Sequence, residues 1–212
     1  MDTKLTGKTR IESDLIGARE IPAEALYGVQ TLRGIENFSI SKFRLSEYPL
    51  FIKGLAITKM AAAMANFELG LLTVEQKDAI IAACGEILDG KHHDQFPVDM
   101  IQGGAGTTTN MNANEVIANR ALELMGHERG EYQYCSPNDH VNCSQSTNDA
   151  YPTAIHIGMY FKHLQLLPHL EELIASFRKK GEEFSQIIKM GRTQLEDAVP
   201  MTLGQTFNGF AS

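Results

Sequence analysis

The stretch 160–188, YFKHLQLLPHLEELIASFRKKGEEFSQII, decides the fold. Tyr160, Leu164, Leu167, Leu170, Ile174, Phe177, Phe184 and Ile188 recur at near-heptad spacing, with Gly181 filling one position. One apolar stripe therefore follows a helix longer than a globular core requires. Such a stripe must be covered by similar stripes, which predicts a mainly α protein with a long-helix bundle, bent near Pro168.

Working outward, Gly191-Arg192-Thr193-Gln194 follows that helix, and 201–212, MTLGQTFNGFAS, opens another helix that the chain leaves uncapped, as a fragment would. Upstream, Met111–Met125 carries Ile117, Ala121 and Leu124 on one face, with Gly126 as its stop. Between Pro49 and Leu69 a broad apolar face predicts a buried helix. Leu55, Lys59, Ala62 and Asn66 lie on one side of it, and Gly70 stands at its C-cap. Thr73 and Gln76 have the spacing of a capping box, opening a second helix that Gly90 ends, so the pair should form a helical hairpin. The first forty residues read as loop-rich, with a small hairpin at most. The predicted domains are a mostly helical one over 1–145 and the beginning of a bundle over 146–212.

Composition bounds the function. The 212 residues are 43% apolar, enough for a substantial core, and carry a net charge of -7. No concentrated basic face is visible, which argues against a nucleic-acid partner. No uninterrupted apolar run approaches the roughly 20 residues of a membrane span, and the start lacks a secretory apolar segment, so a cytoplasmic protein is expected. Cys84, Cys135 and Cys143 are odd in number and lack CxxC spacing, which predicts reduced thiols.

Three polar clusters carry the chemistry: Gly103-Gly104-Ala105-Gly106-Thr107-Thr108-Thr109-Asn110, Ser144-Gln145-Ser146-Thr147-Asn148-Asp149 and Gly191-Arg192-Thr193-Gln194. Flexible backbone and hydroxyls beside a helix N-terminus grip an anion without a dense cationic pocket. Each cluster alone also has a plainer reading: a turn with a Thr cap, an ordinary N-cap, and a helix stop with a solvated Arg. No Lys follows Gly106, against a P-loop, and no strand pattern precedes it, against a dinucleotide fingerprint. His92-His93 lacks a third ligand and reads as surface, while His156 and His163, seven apart, read as packing residues.

In this order, the clusters resemble the aspartase/fumarase superfamily, on the side of its aspartase branch. The carrying strings are Gln102–Thr107 leading into Asn110-Met111-Asn112-Ala113-Asn114-Glu115-Val116, then Ser144–Asp149, then Gly191–Pro200. Arg10-Ile11-Glu12 and Tyr27-Gly28-Val29-Gln30-Thr31 extend the likeness. The resemblance implies an all-helical fold that assembles as a homotetramer with active sites shared between subunits. The reaction it implies removes a proton beside the β-carboxylate of L-aspartate, passes through an aci-carboxylate and expels ammonia to give fumarate.

By motif matching, Thr107, Ser146 and Thr147 would hold the β-carboxylate, Asn148 would meet the amino group, and Thr193 with Gln194 the α-carboxylate side. The family's base is a serine on a Gly-Ser-Ser loop. No stretch of this chain has that form, so no catalytic residue is assigned within it and the serine is expected beyond Ser212. No cofactor is required, and a divalent cation such as magnesium would act as an activator at a site the sequence does not identify. Fumarases carry His where this chain has Gln194, which favours ammonia over water as the leaving group. The competing readings are a class II fumarate hydratase and a non-catalytic helical module that oligomerises through its apolar stripe.

Overall fold

The computed structural model describes residues 7–212, in two compact units, 7–159 and 160–212. In the first, β1 (Thr9–Asp14) and β2 (Gly17–Pro22) pair antiparallel from Thr9↔Pro22 to Asp14↔Gly17. Asp14 closes the hairpin, its Oδ1 accepting the N–H groups of Ile16 and Gly17 at 2.9 and 3.1 Å. The Arg33 guanidinium grips the same carboxylate at 2.9 and 2.8 Å and holds its pKa down to about 2.

Helix α1 (Val29–Asn37) lies where a loop was expected. No side chain near its start caps it; the acceptors come from elsewhere in the chain. Glu115, on helix α4 (Thr107–Leu124), accepts the N–H groups of Gly28, Gln30 and Thr31 at 2.8, 2.8 and 3.0 Å, and Glu12 accepts that of Val29 at 3.1 Å. A helix capped from 85 residues away leaves no local start signal.

Helices α2 (Pro49–Glu68) and α3 (Val74–Leu88) form the expected hairpin, and α4 packs against both. Leu55, Ile52, Ile80, Ile87, Ile117 and Leu122 are buried at their junction and form the core. By length and composition α2 could cross a bilayer, but its Ile52, Leu55, Ala56 and Ala63 belong to this core. Gly70 and Gly90 close the two helices with φ of +73° and +89°, as their positions predict. The capping box at the start of α3 is complete: Thr73 Oγ1 accepts from Gln76 N–H at 3.2 Å, and Gln76 Oε1 accepts from Thr73 N–H at 3.1 Å. Thr73→Ala removes half of this box, and urea denaturation should register a loss of about 1 kcal/mol. An unchanged midpoint would show that the box contributes nothing to the fold.

Helix α4 begins four residues earlier than Met111, so the threonines form its first turn rather than a lead-in. Pro137–Val141 makes a short π-helix capped by Ser136, whose Oγ accepts the N–H groups of Asn138 and Asp139 at 3.2 and 3.1 Å. Helix α5 (Thr147–Glu183) then starts inside the Ser144–Asp149 cluster and is continuous through Pro168. Gly54 of α2 is in contact with the backbone of Ala154, so a Cβ there would collide with the Ala154 carbonyl.

The second unit contains the remainder of α5, strands β3 (Ile188–Thr193) and β4 (Glu196–Thr202), and helix α6 (Leu203–Phe210). Ile188, counted in the apolar stripe, begins a strand, and Gly191 pairs with Val199 inside the hairpin rather than stopping a helix. The turn explains why the hairpin is hard to read. Gln194 and Leu195 are both left-handed, with φ of +50° and +67°. Two-residue turns of this kind ordinarily announce themselves with Asn-Gly, which this one lacks. The predicted final helix is present as α6, opened by a Thr202/Gln205 capping box. Phe207 and Phe210 pack on Phe177, with centroids 6.2 and 5.7 Å away. Gly204 lies against the Gly181 carbonyl, so the gap in the stripe is where α6 approaches α5.

Candidate functional site

Gly106 heads α4 with φ +91°, and the Tyr151 ring occupies the space a Cβ would need. The preceding loop is fixed by Gln102, whose Oε1 accepts Thr109 N–H at 2.8 Å while its Nε2 donates to Asp99 O and Thr109 Oγ1, both at 2.8 Å. Asp99 is itself held as a carboxylate, its pKa lowered to about 2 by the Ser41 hydroxyl and the N–H groups of Ile101, Ser41 and Ile40. Thr107 is exposed, and its O–H donates to the Gly104 carbonyl at 2.6 Å. A ligand would have to compete with that carbonyl for the donor.

The start of α5 adjoins the start of α4. Asn110 Nδ2 donates to Thr147 Oγ1 at 3.1 Å, and Met100, Gln102 and Gly106 share a shallow cleft of about 420 Å³ with Asn148, Tyr151 and Pro152. Ser146 caps α5, its Oγ accepting Asn148 N–H at 3.2 Å. Two helix N-termini thus come together beside exposed Thr107, Ser146 and Asn148 and half-buried Thr147. Their partial positive charges and hydroxyls favour a carboxylate.

Beneath this pair of termini lies Lys59, fully buried on α2. Its Nζ donates to Asn142 Oδ1 and Gln145 Oε1, each at 3.0 Å, and so ties down the loop that leads into α5. Asn66, two turns along α2, donates to Cys143 O at 2.8 Å in the same loop. Burial among neutral amides pushes the Lys59 pKa down from 10.5 to about 7. Cys84, close enough to act on it electrostatically, is itself pushed up to about 12 by burial.

Lys59, Asn66 and Asn142 were not assigned a role from the sequence. A signal was present, because Lys59 and Asn66 align with Leu55 on an otherwise apolar helix. Polar residues in such a row usually have buried partners.

Four of the six proposed site residues, Thr107, Ser146, Thr147 and Asn148, therefore gather at the two helix starts. Thr193 and Gln194 lie exposed on the β3–β4 turn of the other unit. Of the five non-glycine residues with positive φ among the described residues, four fall within or beside the three clusters: Ala105, Ser144, Gln194 and Leu195. Strain of this kind is often stored where a ligand is gripped.

Among the described residues no cluster of three or more His, Cys, Asp or Glu could hold a metal. His92 and His93 are half-buried rather than on the open surface, meeting Glu86 Oε2 and Ile87 O at 2.9 Å.

The chain is 60% identical over 203 residues to an aspartate ammonia-lyase of Pseudomonas canavaninivorans, covering 96% of this chain and 43% of that protein. It is 57% identical over 208 residues to the aspartate ammonia-lyase of Escherichia coli K12, covering 98% of this chain and 44% of that protein. The chain thus spans less than half the length of these curated relatives. Among solved structures, a cobalt-bound fumarate lyase:delta crystallin from Brucella melitensis superposes with a TM-score of 0.90 at 54% identity, over 96% of this chain and 44% of that one. A class II fumarase from Schistosoma mansoni gives 0.86 at 39% identity, over 96% and 43%. A family model described as lyase matches residues 17–212, and the chain belongs to that lyase family.

Proposed function

We propose that this chain supplies the dicarboxylate-gripping part of an aspartate ammonia-lyase, which eliminates ammonia from L-aspartate to give fumarate. The observation that carries the reading is the meeting of the α4 and α5 N-termini, with Thr107, Ser146, Thr147 and Asn148 at their ends. The high identity to curated aspartate ammonia-lyases supports it. In this reading Thr107, Ser146 and Thr147 hold the β-carboxylate, Asn148 meets the amino group, and Thr193 with Gln194, contributed across a homotetramer, engage the α-carboxylate side.

Loss of the proton beside the β-carboxylate leaves a second negative charge on that group. Donors already aimed there favour the charged intermediate over the ground state, and removing one such donor commonly costs about 10²–10³ in rate. The base that takes the proton is a serine outside these 212 residues. Magnesium or a similar cation activates from a site not identified among them. The enzyme works in the cytoplasm.

The test is fumarate formation, followed by absorbance. The full-length enzyme containing this segment should release fumarate from L-aspartate and little from L-malate, while the 212-residue chain alone should be silent. Turnover by the chain alone would overturn the placement of the base. Malate as the better substrate would favour a fumarate hydratase, whose solved relative is superposable but less identical.

A further inference from the structure

We infer that Asn110 is a positioning residue that sets the Thr147 hydroxyl as a hydrogen-bond donor, and that Lys59 fixes Asn110 in this task through Asn142. The inference rests on the proposed role of Thr147 as a carboxylate donor.

The argument follows the direction of each hydrogen bond. Lys59 Nζ donates one N–H to Asn142 Oδ1 and one to Gln145 Oε1, and it has hydrogens enough for both whether protonated or neutral, so the two amide oxygens face it. Asn142 Nδ2 then points away, donating to Gln145 O at 3.1 Å, and Gln145 Nε2 donates to Val141 O and Cys143 O at 2.8 and 3.1 Å. With Asn142 Oδ1 fixed as an acceptor, the group opposite it must be a donor. That group is Asn110 Nδ2, at 3.1 Å. A flipped Asn110 would set two amide oxygens against each other, so its orientation follows from the Lys59 amine two steps away.

Asn110 Nδ2 has two hydrogens. One goes to Asn142 and the other to Thr147 Oγ1 at 3.1 Å. A threonine hydroxyl has one O–H, and here its oxygen already accepts. Among the described residues no protein acceptor takes that O–H, and Thr147 is half-exposed at the start of α5. Its hydrogen therefore remains available for a bound carboxylate. Thr107 differs, since its O–H is engaged by Gly104 O.

Asn110 is 1% exposed, and its Oδ1 is buried with no partner. An amide retained with one end unsatisfied is placed there for its donors. A polar network in which the amide orientations are fixed by their partners specifies one hydroxyl orientation before ligand arrives, which is the preorganisation a carboxylate-binding site requires.

A double-mutant cycle on the full-length enzyme tests this, with L-aspartate turnover and succinate binding as readouts. Asn110→Asp keeps the shape but replaces the donor with an acceptor, which would turn the Thr147 O–H inward. It should lower kcat/KM at least 30-fold, on the order expected for a lost preorganised donor. Thr147→Val should do at least as much. Combined, Asn110→Asp/Thr147→Val should be no worse than Thr147→Val alone, because both remove the same donor.

Asn110→Ser, which keeps a small donor, should recover part of the activity. Multiplying losses in the double mutant would overturn the inference by making Asn110 act independently of Thr147. So would wild-type turnover by Asn110→Asp, or loss of its helical circular dichroism, which would assign Asn110 to stability alone. Absence of aspartate turnover in the unmutated full-length enzyme would instead sink the proposed function, and that control is read first.

Discussion

Between about pH 7 and pH 10 the chain should gain about 4 kcal/mol of stability relative to its Lys59→Met variant. Among the described residues Lys59 has no carboxylate partner; its acceptors are two neutral amide oxygens in a fully buried site, and burial lowers its pKa from 10.5 to about 7. Below about pH 7 the amine is protonated in both folded and unfolded chains, and its contribution does not change with pH. Above that value the folded chain has released the proton while the unfolded chain keeps it until about 10.5.

The unfolded state then binds more protons, and stability rises as pH rises, by about 1.4 kcal/mol per unit. Because Cys84 is pushed up to about 12, its thiol supplies no compensating negative charge in that window. Methionine has similar length and no titration, so the difference between the two proteins isolates this amine. Urea unfolding of both at three pH values measures it. Parallel stability curves would mean that Lys59 keeps an ordinary pKa and that solvent reaches it.

Glu115→Ala should cost about 3–6 kcal/mol, among the largest effects a single substitution in this chain can have. The carboxylate is 2% exposed and accepts three backbone N–H groups, those of Gly28, Gln30 and Thr31. Removing it orphans all three, and Gly28 and Thr31 are buried. Each unmet buried donor costs about 1–3 kcal/mol, and the lost side-chain volume adds to that.

Gly28 makes the contact possible. A Cβ at that position would lie 2.6 Å from Glu12 Oε2 and 2.8 Å from Glu115 Cδ, so no larger residue lets both carboxylates reach the helix start. Glu115→Gln retains one acceptor oxygen and should cost markedly less. Chemical denaturation of the two variants decides the matter, and an alanine variant within 1 kcal/mol of the parent would mean that water caps α1 as well as Glu115 does.

The elements legible in the sequence carry their own start and stop signals. Helix α3 has its Thr73/Gln76 box and Gly90, α2 has Pro49 and Gly70, and α6 has Thr202 and Gln205. Those that were misread take their signals from elsewhere. Helix α1 borrows its cap from Glu115, and the β3–β4 turn forces Gln194 and Leu195 into a conformation their identities do not advertise. The stripe predicted to reach Ile188 ends at Glu183, because the chain turns there to form β3.

The candidate site divides in the same way. Hydroxyls beside glycines and helix starts marked the clusters as able to meet an anion, while the resemblance to the superfamily singled out Thr107, Ser146, Thr147 and Asn148 within them. Nothing in the spacing of Lys59, Asn110 and Asn142 says that they join into one network, because residues 83 positions apart meet only in the folded chain.

By itself, the sequence determined which segments coil into helices, where most of them begin, and which short polar runs can receive a negative charge, since propensity, capping and hydroxyl content act over a few residues. The tertiary structure alone decided that two helix N-termini share one cleft, that α1 is capped from α4, and that a buried amine sets the direction of the hydrogen bonds leading to Thr147. Those outcomes depend on packing between distant segments, where the cost of an unpaired buried polar group selects one arrangement from many.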